Sequence, residues 1–292
     1  MREPEETVSV RAITFNVRYA KKDPIPGEQP WRVRCPKLCT QLNFITAGHS
    51  SAFLCLQEVL HSQLQDIQSC LGDTWAHIGL GRDDGKAAGE FSPIFYPTLT
   101  WRCERSKTCW LSETPDRPSK GWDAVLNRVV TIGEFRNRRT GTRVVVMSTH
   151  FDHRGVIARK ESAKLLLRLA SQWALGEHGE DTVPVLLGGD FNSTPTESAY
   201  KEMTEPGSGM VDARDLVPKE RRYGNENTYS SFGEPGEHAG RIDFLFVRDP
   251  GGLVKVMTYG VLANRFDDEI YLSDHRPVVA DVEIPIQSLS GS

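Results

Sequence analysis

The chain has 292 residues, 38% hydrophobic and 25% charged, which places it in the soluble globular class. No apolar run approaches the about 18 residues of a membrane span, so a membrane-embedded protein is excluded. A formal charge of −4 gives no overall attraction for polyanions and does not favour nucleic acid as a partner. The N-terminal stretch MREPEETVSV is acidic and lacks an apolar segment, so the expectation is a cytoplasmic protein folding as one domain over 1–292. All six cysteines (35, 39, 55, 70, 103 and 109) lie in the first 110 residues without CxxC spacing, and they read as reduced thiols. Cys103 and Cys109 are the pair that a hairpin would bring face to face.

Along the chain, VSVRAITFNV (8–17) alternates apolar and polar residues as a half-buried strand does, and SSAFLCLQEV (50–59) is a short apolar strand ending in Gln57 and Glu58. SPIFY, WRCERSKTCWL, LNRVVTIGEF and TRVVVMSTH (142–150) are further strands, with NRRTG a turn between the last two. Residues 156–175 place Ile157, Leu165, Leu169 and Trp173 at helical spacing, which predicts a surface helix. VPVLLGGD, GRIDFLFV and PVVADVEI complete the strands, while DDGKAAGE and PGEHAG read as loops. Many strands with a few helices predict an α/β or α+β fold whose strand ends form the functional rim.

Polar residues collect at those ends. Asn16 closes the first strand, Glu58 the second and His150 a middle one; Asp190 and Asn192 follow LLGG, Asp243 lies in GRIDFLF, and Asp274 and His275 precede the last strand. One acid after a strand is usually a turn former. Several carboxylates, two amides and two histidines delivered by separate strands instead suit a hard-oxygen metal site with acid–base groups beside it. Residues i and i+2 of an extended chain point the same way, so Asp190 and Asn192 can converge on one ligand. The adjacent Asp274 and His275 can do so only from an irregular loop, which the nearby proline favours.

The motifs TFN (14–16), LQE (56–58), STH (148–150), GGDFN (188–192), RID (241–243) and SDH (273–275) together resemble the endonuclease/exonuclease/phosphatase superfamily, the deoxyribonuclease I-like group. The resemblance implies a four-layer α/β sandwich, two packed, mainly antiparallel β-sheets flanked by helices, and phosphoester hydrolysis dependent on Mg²⁺ or Mn²⁺. It implies Glu58 as the main metal ligand, with Asn16 beside it and Asp274 near the metal. Asp190 would orient or deprotonate the attacking water, supported by Asn192. His275, paired to Asp243, and His150 would contact the phosphate, with Glu90 as partner of His150.

The substrate reads as a small phosphodiester or phosphomonoester, with a DNA or RNA nuclease as the alternative. Gly240 stands where abasic-site endonucleases carry a tryptophan, which argues against that activity. The segment CWLSETPDRPSKGWDAVLNR (109–128) supplies Trp110, Trp122 and Arg128, as core packing or as a wall for a sugar, base or aryl group. Asp152, His153 and Arg154, just past His150, could recognise substrate hydroxyls or a second phosphate, or belong to a solvated loop. Asn192-Ser193-Thr194 is also a glycosylation sequon, so a catalytic Asn192 is expected at the cleft floor, where a glycan would block the site.

Overall fold

The computed structural model describes residues 6–175, 183–252 and 254–286, so the first five residues of the acidic N-terminus lie outside the described residues. In chain order the elements are β1 (Thr7–Asn16), α1 (Trp31–Thr46), β2 (Ala52–Gln57), α2 (His61–Leu71), β3 (Trp75–Ile78), β4 (Ile94–Pro97), β5 (Trp101–Trp110), β6 (Val129–Asn137) and β7 (Arg143–His150). They continue with α3 (Val156–Ala174), β8 (Val185–Asp190), α4 (Ser198–Thr204), β9 (Val211–Asp212), β10 (Arg222–Gly224), β11 (Asp243–Arg248), β12 (Lys255–Val261) and β13 (Val278–Pro285). One sheet has the order β10-β12-β13-β1-β2-β4-β3, the other β5-β6-β7-β8-β11-β9.

The sheets face each other across a core that includes Val10, Phe53, Trp101, Phe135, Leu186 and Leu245. On the far side of the first sheet, Leu38 and Leu42 of α1 and Leu64 and Ile67 of α2 pack on Ile13 and Leu54. On the far side of the second, Leu166 and Ala170 of α3 and Met203 of α4 pack on Val145, Leu187 and Phe246. The result is the expected four-layer sandwich. With one face against helices and the other against a sheet, a central strand loses its alternation, and β1 is buried at every position from Ala12 to Asn16.

Several elements went unanticipated. The residues of α1 carry Pro36 inside the helix, which removes one hydrogen bond and blurs the helical signature. In the anticipated α3, Leu165 is buried and Leu169 and Trp173 pack on the core as expected, whereas Ile157 is 58% exposed and Ala158, Ser162, Leu166 and Ala170 complete the inward face. The small residues let this helix lie close on the sheet. Cys103 and Cys109 lie on one strand, β5, and do not face each other across a hairpin. All six cysteines are free. The NRRTG turn does join β6 to β7: Asn137 Oδ1 accepts from the N–H groups of Arg139 and Thr140, and Gly141 takes a φ of 74°.

The two glycines of LLGGD have a packing reason. A Cβ added at Gly188 would lie 2.9 Å from Cβ of Cys55 and 3.0 Å from Cβ of Thr14, closer than side chains tolerate. Gly188 therefore lets β8 approach β1 and β2 of the opposite sheet, which brings the residue two places on, Asp190, against Asn16. Gly189 is similarly pressed, with Thr149 O at 2.6 Å from the same hypothetical atom.

Candidate active site

Strand register assembles the site before any side chain is considered. Asp190 of β8 is paired with His150 of the parallel β7 on one side and with Asp243 of the antiparallel β11 on the other. Across the sandwich, β1 and β2 run parallel with Asn16 opposite Gln57, so Glu58 emerges one residue later. Close approach at Gly188 joins the halves: Asn16 Nδ2 donates to Asp190 Oδ2 at 2.9 Å and to Glu58 Oε1 at 3.1 Å.

Two residues leave their strands in the left-handed region. Glu58 has a φ of 59° and Asn192 a φ of 45°, costing about 1–2 kcal/mol for a residue with a Cβ, less for asparagine. At Glu58 the turn aims the carboxylate back over the strand end, where Oε2 accepts from Tyr19 N–H at 3.1 Å. At Asn192 the backbone N–H donates to Asp190 Oδ1 at 2.8 Å. Asp190 and Asn192 thus converge, through a tight turn instead of an extended strand, while Phe191 between them packs into the core against Phe151 and Phe244. The Asn192 amide donates to Phe151 O at 3.0 Å and lies 3.0 Å from His150 Nε2. With the amide nitrogen as donor, Nε2 accepts and the imidazole proton sits on Nδ1.

The two histidines are split by their surroundings. His275 Nδ1 pairs with Asp243 Oδ2 at 2.8 Å, and its Nε2 lies 3.7 Å from Asp190 Oδ2. Burial works against its charge, but Asp243 and Asp190 overcome that and raise it to about 10. His150 is held well below its ordinary value by burial and by the Arg128 and Arg82 guanidiniums, so it is neutral near pH 7. Among the acids, burial and the neighbouring Asp243 push Asp190 up to about 7. Burial opposes ionisation of Glu58 too, yet Arg18, His275, the Asn16 amide and Tyr19 N–H hold it below the usual carboxylate range.

Arg18, Glu58, Glu90, Arg128, His150, His153, Asp190, Asn192, Asp274 and His275 all line one cavity of about 650 Å³, with Asn16 and Asp243 buried just beneath it. The sequence profile described as "Endonuclease/Exonuclease/phosphatase family" matches residues 13–275. The chain belongs to this family. A family structure from Bacteroides vulgatus is 36% identical with a TM-score of 0.82, covering 95% of this chain and 99% of that one. A mannosyl-6-phosphatase from Bacteroides thetaiotaomicron is 32% identical with a TM-score of 0.81, covering 94% and 99%. Nocturnin of Drosophila melanogaster is 26% identical over 79% of this chain, which spans only 39% of that protein's length. Family members are phosphoester hydrolases, and no helix among the described residues is long and apolar enough to cross a membrane.

Against the family frame, some expected residues take other places. Glu90 is not hydrogen-bonded to His150, whose Nδ1 lies 4.0 Å away. Its carboxylate is instead gripped by Arg82, Nη1 at 2.6 Å and Nη2 at 2.9 Å. Asp152 does not face the cavity: its oxygens accept from the N–H groups of Val125, Leu126, Arg154 and Gly155, organising two loops. Trp122 is outside the cavity lining, and Trp110 is core, its Nε1 donating to Arg82 O at 2.7 Å. Arg18, Tyr19, Arg82 and Tyr229 join the lining unanticipated. Arg82 lies just before the loop DDGKAAGE, and its one sequence signal is the acid eight residues on that it grips.

The donor set fits a divalent cation. Asp190, Asp243 and His275 have ligand atoms mutually within 4.8 Å, but the Asp243–His275 hydrogen bond already occupies Nδ1, so this trio serves better as a proton-holding pair beside Asp190. The cavity-facing acids Glu58 and Asp274 offer hard oxygens, with Arg18 3.8 Å from Asp274. Burial and the Glu58 carboxylate push Asp274 above its ordinary value, a crowding of negative charge that a bound cation relieves.

Proposed function

We propose that this chain is a divalent-metal-dependent phosphoester hydrolase acting on a small phosphomonoester or phosphodiester, with the catalytic domain extending over both sheets. The observation that carries the reading is the meeting of Asp190, Asn192, His150 and the His275–Asp243 pair with Glu58 and Asp274 in one cavity. Glu58, with Asp274 and Asn16, would hold Mg²⁺ or Mn²⁺, which when bound supplies Lewis-acid neutralisation of phosphoryl charge.

The remaining chemistry belongs to the chain. Asp190, poised near 7 and fixed by Asn16 and the Asn192 N–H, takes a proton from the attacking water. His275, kept cationic by Asp243, faces the negative charge that grows on the phosphoryl oxygens. Neutral His150 holds the Asn192 amide in place and presents its ring edge to the substrate. A cavity of about 650 Å³ is of small-molecule size, and a net charge of −4 gives no hold on a polynucleotide, which supports a small substrate over a nuclease. The likeness to a mannosyl-6-phosphatase supports the same choice.

The test is initial-rate hydrolysis of p-nitrophenyl phosphate, bis-p-nitrophenyl phosphate, sugar phosphates, plasmid DNA and oligo(A), each with Mg²⁺, Mn²⁺ or EDTA. Metal-dependent release from the small esters is expected. Turnover undiminished by EDTA, or confined to the polynucleotides, overturns the reading.

A further inference from the structure

We infer that Arg128, backed by Arg82, binds a second anionic group of the substrate, so that the preferred substrate is a small phosphoester also carrying a phosphate or carboxylate away from the scissile phosphoryl group. This rests on the phosphoesterase reading above and names its substrate class.

Around the His150 ring, Glu58, Asp190 and Asp274 share the cavity wall with Arg18 and His275, and Arg82, Arg128 and His153 share it with Glu90. His150 Nε2 lies 3.4 Å from Asp190, and its Nδ1 lies 4.0 Å from Glu90 Oε2, itself 4.0 Å from Arg128 Nη1. The first set suits a cation and the phosphoryl group, and the second lies beyond the imidazole from it.

Arg128 is only 5% exposed, yet it is poorly satisfied. Its Nη2 lies 3.1 Å from His153 Nδ1, whereas Nε and Nη1 are buried without a hydrogen-bond partner among the described residues. The acids nearby are committed elsewhere. Asp152, 3.8 Å from Nε, already accepts from four backbone N–H groups, and Glu90 is taken by Arg82. Arg82 Nε is also unpartnered. Its carbonyl is held by Trp110 Nε1 at 2.7 Å and by Asn127 Nδ2 at 3.2 Å, so the segment 109–128 fixes this side of the cavity in place.

The two buried guanidiniums line the cavity with Glu90, Asp83 and Asp152 within 4.0 Å of them, yet Arg128 Nε and Nη1 and Arg82 Nε are left without a hydrogen-bond partner among the described residues. A hydroxyl would satisfy one of these donors, whereas an oxyanion accepts from a guanidinium at two oxygens in charge-assisted hydrogen bonds. Deep burial of Arg128 favours a compact distal group over the continuous backbone of a polynucleotide.

The experiment measures kcat/KM with Mg²⁺ for glucose 6-phosphate, 6-phosphogluconate, glucose 1,6-bisphosphate and a short single-stranded oligonucleotide, in the wild type, Arg128→Gln and Arg128→Lys. The wild type is expected to favour at least one of the two doubly anionic sugars over glucose 6-phosphate by on the order of tenfold or more, and which one it favours tells carboxylate from phosphate. In Arg128→Gln that ratio should fall towards one, with Arg128→Lys between. The ratio is the readout, so a loss shared by all substrates cancels, and if the Gln variant does not fold the Lys variant carries the comparison. Hydrolysis without preference, a ratio unchanged in the variants, or a lead for the oligonucleotide overturns the inference while leaving the phosphoesterase standing. Inactivity of the wild type on every ester, p-nitrophenyl phosphate included, overturns both.

Discussion

Replacing Asp243 by asparagine preserves the shape of the buried pair with His275 and removes its charge. The imidazole Nδ1 lies 2.8 Å from Asp243 Oδ2, and the histidine is raised from an ordinary 6.5 to about 10. That difference corresponds to about 5 kcal/mol in favour of the imidazolium at 1.36 kcal/mol per pH unit, an upper bound for so buried a pair. Asp190 shares in the effect and remains in the variant, so loss of Asp243 should lower the histidine by about one to three pH units, to roughly 7–9. If the cation is the working form, activity disappears as pH rises through this value, near 10 in the wild type and earlier in the variant. Stability follows the same sign: because the folded value lies above 6.5, the contribution is complete below about 6.5 and lost as pH climbs through about 10. The assay is kcat/KM on p-nitrophenyl phosphate from about pH 5 to about pH 11, which brackets the wild-type value, with the His275 ring followed by NMR in the same range. An alkaline limb at the same pH in both proteins, with kcat merely lowered, would refute the argument and leave Asp243 a structural residue.

Glu58→Gln keeps the hydrogen-bonding shape but not the charge, so activity should fall by orders of magnitude and calorimetric Mg²⁺ binding should weaken while circular dichroism stays native; unchanged Mg²⁺ affinity would move the metal elsewhere. Gly188→Ala forces a Cβ to within 2.9 Å of Cys55 and should destabilise by about 1–3 kcal/mol, read as a lowered Tm; an unchanged Tm would show that the sheets are not pinned there. Asn192→Ala loses the amide bonds to Phe151 O and His150, and should cost about tenfold or more in kcat but no more than about 1 kcal/mol in stability. A Tm loss as large as the kcat loss would make the residue structural, and Asn192→Gly, which accepts the φ of 45°, separates backbone from amide effects.

Strand ends and their chemistry were legible in the sequence because several acids, amides and histidines close separate apolar runs, where a single one would read as a turn former. The runs ending in Asn16, Gln57-Glu58, His150 and Asp190 became β1, β2, β7 and β8, and their polar ends meet. The paired glycines of LLGGD were visible as well, though not their purpose, because Cys55 and Thr14 approach Gly188 from the other sheet. Local patterns served helices less well, since Pro36 lies inside α1 and small residues form much of the buried stripe of α3. What tertiary structure alone decided is the use of each charged group. Asp152 and Asp190 are the same residue type, each two or fewer positions past a strand or at its end, yet one is consumed by four backbone N–H groups and the other faces the cavity. His150 is neutral because burial, aided by the Arg128 and Arg82 guanidiniums, disfavours its charge, whereas at His275 the Asp243 and Asp190 carboxylates overcome the same burial. Glu90 is gripped by Arg82 and stands 4.0 Å from His150 Nδ1. Ionisation and hydrogen bonding depend on neighbours within a few ångströms, and those neighbours come from segments distant along the chain.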